Sequence, residues 1–249
     1  MLEVSGLIKR FGGFTAVSNV SFNVAEGEIL GLIGPNGSGK STIFNLLSGT
    51  LAPTGGSIRF LGRELGGLPP YRIINQGIGR TFQIPRPFKR LSLFENVALA
   101  GYYGHGRHSR AQAYDNAERA LAMVGLSSDR KAGIGGLGAA GLKKLELAKA
   151  LATQPRLLLA DESLGGLDET EMDQAADMLR RIRAELGITI IWVEHIMGVL
   201  MRVVDRVMVL DHGEVIAEGL PSEVSADPRV IEVYLGTDAV EVQAAAVRA

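Results

Sequence analysis

Residues 34–41 read G-P-N-G-S-G-K-S, and this stretch decides the fold because of what lies on either side of it. A short apolar run, I-L-G-L-I, precedes it at residues 29–33, and an amphipathic pattern follows from Thr42 to Leu47. Together they predict a strand, a tight glycine-rich loop and a helix. Glycines let backbone N–H groups approach phosphate oxygens, and the positive end of the helix attracts them. The stretch therefore predicts a nucleotide-binding site.

The loop matches the pattern G-x-x-x-x-G-K-[ST] at every position, and the pattern assigns a contact to its polar side chains. Lys40 is predicted to reach the outer phosphates, and the hydroxyl of Ser41 to hold Mg²⁺. The residues predicted to contact the nucleotide here are Gly34, Pro35, Asn36, Gly37, Ser38, Gly39, Lys40, Ser41 and Thr42.

On both sides of the loop, the periodicity predicts an α/β fold. Apolar and polar residues alternate from Leu2 to about Ile29, which is typical of half-buried antiparallel strands. The runs Leu157–Ala160 and Ile188–Val193 are apolar on both faces, as in buried parallel strands. Each follows a helical pattern, at Leu142–Ala152 and Glu171–Leu186. Strands that alternate with helices in this way predict a parallel sheet flanked by helices.

The remaining segments complete the predicted organisation. The region from Gln83 to Gln154 is mainly helical, and we expect a helical subdomain at roughly 84–154 inserted into a single domain that spans 1–249. Residues 206–219 predict a hairpin with its turn at Asp211–Gly213. Residues 237–249 form a short tail rich in Ala and Val.

Carboxylates and other polar residues that could complete a nucleotide site follow the predicted strands. Asp161 ends the run L-L-L-A-D and could hold Mg²⁺, and Glu162 could act as general base towards water. His195 follows the strand that ends in W-V-E. Taken alone, Gln83 in G-R-T-F-Q could equally be an ordinary buried or solvated glutamine, and Phe11 a core residue.

Composition excludes several classes of function. The formal net charge is -1, which gives no reason to expect a nucleic-acid partner. The chain has no cysteine, so thiol catalysis and iron–sulfur ligation are excluded. No apolar run is long enough to span a bilayer, and the first residues do not resemble a secretion signal. We expect a cytoplasmic protein.

In order and spacing, these motifs resemble the nucleotide-binding domains of ABC transporters, and the resemblance covers Leu2–Gly236. It implies that Phe11 stacks on adenine and that 34–42 is the Walker A segment. It further implies that Gln83 belongs to the Q-loop and that Asp161 and Glu162 are the Walker B pair. The D-loop is then Leu164–Asp168, and His195 is the switch histidine. The implied Mg²⁺ ligands are Ser41, Gln83 and Asp161.

Within that family, the chain is most similar to the ATPase subunits of branched-chain amino acid importers. Three segments carry this likeness: G-I-G-R-T-F-Q, the run L-E-L-A-K-A-L followed by T-Q-P, and the closing D-P-R-V-I-E-V-Y-L-G. It implies ATP hydrolysis with Mg²⁺, integral-membrane permease subunits, a second ATPase subunit and, indirectly, a solute-binding protein. It places the chain on the inner face of the membrane. An ATPase of a urea or amide importer, and an ABC ATPase outside transport, remain alternatives.

One segment departs from the family pattern. The signature that usually reads L-S-G-G-Q is expected at Leu137–Gly141, where this chain reads L-G-A-A-G. In the family, this segment contacts the γ-phosphate of the ATP held by the opposite subunit. A lost hydroxyl donor to a charged oxygen costs about 1.5–3 kcal/mol. We therefore expect a weakened signature, and a heterodimer with two unequal sites.

Overall fold

The computed structural model describes residues 1–106, 108–161, 169–194 and 197–235. Within these ranges, ten strands lie in two sheets, and their bounds are β1 Leu2–Phe11, β2 Phe14–Val24, β3 Ile29–Ile33, β4 Gly55–Phe60, β5 Arg63–Glu64, β6 Ile78–Arg80, β7 Leu157–Asp161, β8 Thr189–Val193, β9 Arg206–Asp211 and β10 Glu214–Gly219. The helices are α1 Lys40–Leu47, α2 Pro70–Asn75, α3 Leu93–Tyr102, α4 Arg110–Met123, α5 Ala139–Ala152, α6 Glu169–Leu186, α7 Met197–Leu200, α8 Pro221–Ser225 and α9 Pro228–Leu235.

The smaller sheet has the order β2-β1-β4-β5 and is antiparallel. In β2, buried and accessible residues alternate over its second half, as expected for a sheet with one wet face. The alternation at the start of the sequence is explained by this geometry, and the prediction of antiparallel strands there is confirmed.

The larger sheet has the order β10-β9-β3-β8-β7-β6, and every strand except the edge strand β10 runs parallel to its neighbours. All five residues of β3, of β7 and of β8 are buried. They are buried because apolar clusters cover both faces: Ile190 and Trp192 belong to one cluster, and Ile191 and Val193 to the other. The predicted fold class is confirmed.

Three helices begin earlier than the periodicity predicts: α6 begins at Glu169 rather than Glu171, and the other two begin within motifs. Helix α1 begins at Lys40 rather than Thr42, and α5 begins at Ala139 rather than Leu142. In both cases, the first turn is formed by polar or small residues of a motif, which carry no amphipathic signal. The hairpin between β9 and β10 is confirmed, with His212 and Gly213 at positive φ in its two-residue turn.

Helices α3, α4 and α5 pack against one another in the region where a helical subdomain was expected. The boundary of that unit at 84–154 remains a prediction, and the tail at 237–249 lies outside the described residues. None of the helices in the described ranges is both long enough and apolar enough to cross a membrane.

Candidate functional site

The loop between β3 and α1 can be formed only by glycine at two of its positions. Gly34 has φ 149° and Gly39 has φ 109°. A Cβ on Gly34 would lie 2.1 Å from the carbonyl oxygen of Leu210, and one on Gly39 would lie 2.7 Å from that of Ala16. Because backbone atoms cannot move aside as a flexible side chain can, both positions exclude any larger residue.

Hydrogen bonds from neighbouring strands hold the outside of the loop. The N–H of Gly213, in the β9–β10 turn, donates to the carbonyl oxygen of Ser38 at 3.0 Å. The N–H of Ser18, on β2, donates in turn to the carbonyl oxygen of Gly213 at 2.8 Å. The loop is therefore fixed by two separate parts of the chain, one from each sheet.

Lys40 points into the loop. It is only 5% exposed, and its Nζ donates to the carbonyl oxygens of Gly34 at 2.7 Å and Pro35 at 2.9 Å. The ammonium group thus lies inside the curve of the backbone, beside the N-terminus of α1, where partial positive charge collects. Ser41 and Thr42 lie in the first turn of the same helix. This arrangement suits an anionic ligand such as a polyphosphate.

Asp161 ends β7 in the centre of the sheet, where it is buried. Its N–H donates to the hydroxyl of Thr81 at 3.0 Å, which continues the β6–β7 pairing past the end of β6. Gln83 lies two residues after Thr81 and is exposed. The sheet therefore brings the predicted acid and the predicted glutamine to the same edge, although they are far apart in the sequence.

Two predicted catalytic residues, Glu162 and His195, lie outside the described residues, as does the D-loop at 164–168. Their neighbours are described: Asp161 and Val193 pair across adjacent strands β7 and β8. The segments that contain Glu162 and His195 therefore both follow strands that end at the same edge of the sheet. The roles of Glu162 and His195 stay predictions.

Phe11 is at the end of β1, in the hairpin whose second strand passes beside the loop. It is 46% exposed and pairs with Phe14 on β2, two residues before Ala16, whose carbonyl faces Gly39. The Nζ of Lys9 lies 5.1 Å from the centre of the Phe11 ring. An exposed ring at the rim of the loop is suited to stack on a flat base, so the interpretation of Phe11 as a core residue is not supported.

The predicted oxygen donors fit magnesium. A serine hydroxyl, an aspartate carboxylate and a glutamine amide are hard ligands, and Mg²⁺ is usually held by one or two carboxylates together with phosphate oxygens and waters. Within the described part of the chain, no group of three or more acidic or histidine side chains could form a metal site by itself. Ser41, Asp161 and Gln83 would hold magnesium together with phosphate oxygens.

The segment Leu137–Gly141 lies at the start of α5, as expected for a signature. Gly138 is the N-cap residue with φ −71° and ψ −175°, a conformation open to any residue, and a Cβ there would contact nothing within 4 Å. A Cβ on Gly141 would instead lie 2.8 Å from Cδ2 of Leu137. The N-terminus of α5 still presents backbone donors, but no side chain caps it.

Comparison with known proteins decides the family. The model of the family described as ABC transporter matches residues 17–165. That is more than half of the chain. The chain belongs to the ABC transporter family. It is an ATP-binding cassette, and its activity is ATP hydrolysis coupled to transport.

Individual relatives agree over nearly the whole cassette. BraF of Pseudomonas aeruginosa, a high-affinity branched-chain amino acid transport ATP-binding protein, is 37% identical over 95% of this chain and 98% of its own length. The ADP conformation of an ATP-binding cassette of an ABC transporter matches with a TM-score of 0.85, 29% identity, and 95% and 98% coverage. A dimeric cassette in a post-hydrolysis state with ADP and Pi matches with a TM-score of 0.78, 27% identity, and 89% and 99% coverage.

Two residues with contacts in the site were missed by sequence reasoning. Tyr234 on α9 lies in the segment 214–240 that matches a second family model, described as Branched-chain amino acid ATP-binding cassette transporter. Its phenolic oxygen lies near the N–H of Gly34, and burial raises the pKa of this phenol to about 12. The other residue is Arg80, which pairs with Asp161. Both lie in quoted motifs, yet no spacing rule connects them to the loop.

Proposed function

We propose that the cassette energises the import of branched-chain amino acids, bound to permease subunits at the cytoplasmic face of a membrane. The observation that carries the choice of solute is the second family match at 214–240, because it covers the C-terminal segment outside the common cassette. The similarity to BraF over the full length supports the same choice. In this proposal Glu162 activates water and His195 assists turnover. Ser41, Gln83 and Asp161 would hold Mg²⁺, which would neutralise charge on the phosphates.

The surface after Gln83 suits a permease. Ile84 is 72% exposed and Phe88 is 53% exposed, and Phe82 is also exposed. Exposed apolar side chains grouped in this way are typical of an interaction site. The basic residues of this segment, Arg86, Lys89 and Arg90, lie between or beside them, as at the polar rim of an interface.

Helix α5 holds this surface in place. Oε1 of the buried Glu146 accepts from the N–H of Arg86 at 2.7 Å, and Nζ of Lys149 donates to the carbonyl oxygen of Arg86 at 3.1 Å. The same two side chains form an ion pair at 2.7 Å. Since α5 begins with the signature, a partner that moves residue 86 also moves the segment that faces the opposite nucleotide.

Reconstitution tests the solute and the docking surface together. The cassette is assembled with the permeases and second ATPase of its operon, and ATPase activity is measured with binding protein saturated by leucine, by urea or by acetamide. We expect stimulation by leucine alone. Ile84→Asp should abolish the stimulation while ATP affinity stays normal, whereas Leu186→Asp, on the exposed end of α6, should change neither. Stimulation by urea or acetamide, and not by leucine, would transfer the proposal to an amide importer.

We further propose that the cassette works in a heterodimer with two unequal sites. A homodimer would place L-G-A-A-G over both nucleotides and weaken both sites. With a different partner that has an ordinary signature, the Walker segments of this chain would form one strong site. Its own signature would face the ATP of the partner and form one slow site.

Gly138→Ser is the cleanest test, because the added side chain has room at the N-cap, whereas Gly141→Gln would press on Leu137. In the heterodimer, the substitution should accelerate only the slow site, and Gly138→Ala serves as the matched control. A purified cassette that hydrolyses ATP alone as fast as the assembled complex would exclude the unequal-site model.

A further inference from the structure

Arg80, the last residue of β6, joins three parts of the site. Its Nη2 donates to Oδ2 of Asp161 at 2.8 Å. Its Nη1 donates to Oδ1 of Asn45 and to Oγ of Ser48, both at 2.8 Å. Asn45 and Ser48 lie in and just after α1. One guanidinium therefore ties the acid at the end of β7 to the helix that follows the phosphate loop.

The pair is enclosed. The side chains of Arg80 and Asp161 are 11% and 7% exposed. The rings of Phe44 and Phe82 lie 5.7 Å and 5.3 Å from Cζ of Arg80. Charges in such a poorly solvated place interact more strongly than at a surface, because little water screens them.

This ion pair differs from one that only stabilises the fold, because its carboxylate belongs to Asp161, the proposed Mg²⁺ ligand. All hydrogen bonds of the Asp161 side chain to described residues go to Arg80, through Oδ2. Arg80 does not hold the other oxygen, Oδ1, through which the carboxylate would bind a cation. The positive charge next to Oδ2 reduces the attraction of the carboxylate for that cation, and the fixed geometry orients it.

We propose that Arg80 is a positioning residue for Asp161, and that it also acts as its internal counter-ion. It holds the carboxylate by one oxygen and weakens its attraction for Mg²⁺, so Arg80 determines how much Mg²⁺ adds to nucleotide affinity. This inference rests on the proposed function, in which Asp161 is a Mg²⁺ ligand. Arg80 also packs on Phe82, next to Gln83, so a shift of the Q-loop would change the pairing of Asp161.

The test measures two dissociation constants of the purified cassette for a fluorescent ATP analogue, one in EDTA and one in saturating Mg²⁺. The quantity compared is the ratio of the constant in EDTA to the constant in Mg²⁺. In Arg80→Gln, the constant in Mg²⁺ should fall, and the ratio should rise about tenfold because the competing charge is gone. The constant in EDTA should stay within about threefold of the parent. Arg80→Lys keeps the charge and should keep the ratio. Asn45→Ala, which removes one acceptor of Arg80 without touching the pair, is the matched control.

Different results would overturn different claims. If Arg80 has only a structural role, Arg80→Gln weakens nucleotide binding equally with and without Mg²⁺ and leaves the ratio unchanged. That result refutes the inference. If Asp161→Asn leaves the parental ratio unchanged, the assignment of Asp161 as a Mg²⁺ ligand fails first. Should Arg80→Gln fold poorly, Arg80→Met takes its place, because it also removes the charge and keeps a long side chain between the two aromatic rings. Its ratio must rise above that of the parent, whereas an unchanged ratio refutes the inference.

Discussion

The phosphate loop and the signature are both glycine-rich starts of helices, but their surroundings differ. Around Gly34 and Gly39, backbone carbonyls lie too close for any Cβ. Around Gly138, nothing lies within 4 Å of a Cβ, and the backbone conformation suits every residue. The glycines of the loop are therefore required by the fold, whereas none of the described residues requires a glycine at position 138.

This difference separates constraint by the fold from constraint by a partner. The loop is braced by β2, by the β9–β10 turn and by Tyr234, so its geometry exists before a ligand arrives. Gly138, in the signature, is exposed, and in the proposed heterodimer the signature would act on a nucleotide held by another subunit. We therefore expect a change there to alter how two subunits share ATP and to leave the folding of this chain intact.

The largest expected effect concerns hydrolysis of the ATP bound by this chain. Glu162→Gln keeps the size of the side chain but removes the general base, so phosphate release should fall by about 10²–10⁴ while ATP still binds. His195→Ala should also slow turnover and spare binding. Steady-state phosphate release by the assembled complex measures both, with Glu3→Gln on β1 as the control. A normal rate for Glu162→Gln would show that hydrolysis of the ATP bound by this chain does not use Glu162 as general base.

A smaller effect is expected for affinity. Lys40→Ala removes the ammonium group inside the loop, and we expect MgATP binding to weaken on the order of 100-fold, since each charged hydrogen bond contributes about 1.5–3 kcal/mol. Lys131→Ala makes the same charge change on an exposed loop and should bind normally. Equilibrium titration with a fluorescent nucleotide provides the measurement. Equal affinities for the two variants would remove the assignment of the loop as a phosphate site.

The contrast between the two helix starts can be tested directly with one substitution at each. Gly39→Ala should lower the free energy of unfolding by more than about 2 kcal/mol, because the strain at positive φ adds to the overlap with Ala16. Gly138→Ala should change it by less than about 1 kcal/mol. Urea denaturation gives both numbers. If the two variants lose similar stability, the signature is constrained by its own chain after all.

Sequence reasoning worked where one contiguous pattern carries the signal. The apolar run before Gly34, the loop itself and the buried strand before Asp161 are each visible within about ten residues. The contacts of Arg80 and Tyr234 were not predictable, because Arg80 meets Asp161 across 81 positions and Tyr234 meets Gly34 through the C-terminal helix. Such contacts depend on strand order, and a periodicity does not state which strands are neighbours.

The smallest expected effect concerns Tyr234, and it tests whether the C-terminal segment helps to brace the loop. Tyr234→Phe keeps the ring but removes the hydroxyl that lies near the N–H of Gly34, so the free energy of unfolding at pH 8 should fall by about 1 kcal/mol. Nucleotide affinity should fall by a similarly small factor. Tyr71→Phe, on an exposed ring of α2, is the matched control and should change neither quantity.

The dependence on pH tests whether this phenol is buried, because burial is what raises its pKa. The pKa of Tyr234 is raised to about 12 from 10, so its contribution to stability is complete below about pH 10 and is lost as the pH rises towards 12. Between pH 9 and 11.5 the parent should therefore lose more stability than Tyr234→Phe, which has no phenol to ionise. Denaturation curves at both pH values measure the difference, and Tyr71→Phe should follow the parent. If Tyr234→Phe also follows the parent, the phenol of Tyr234 is not buried.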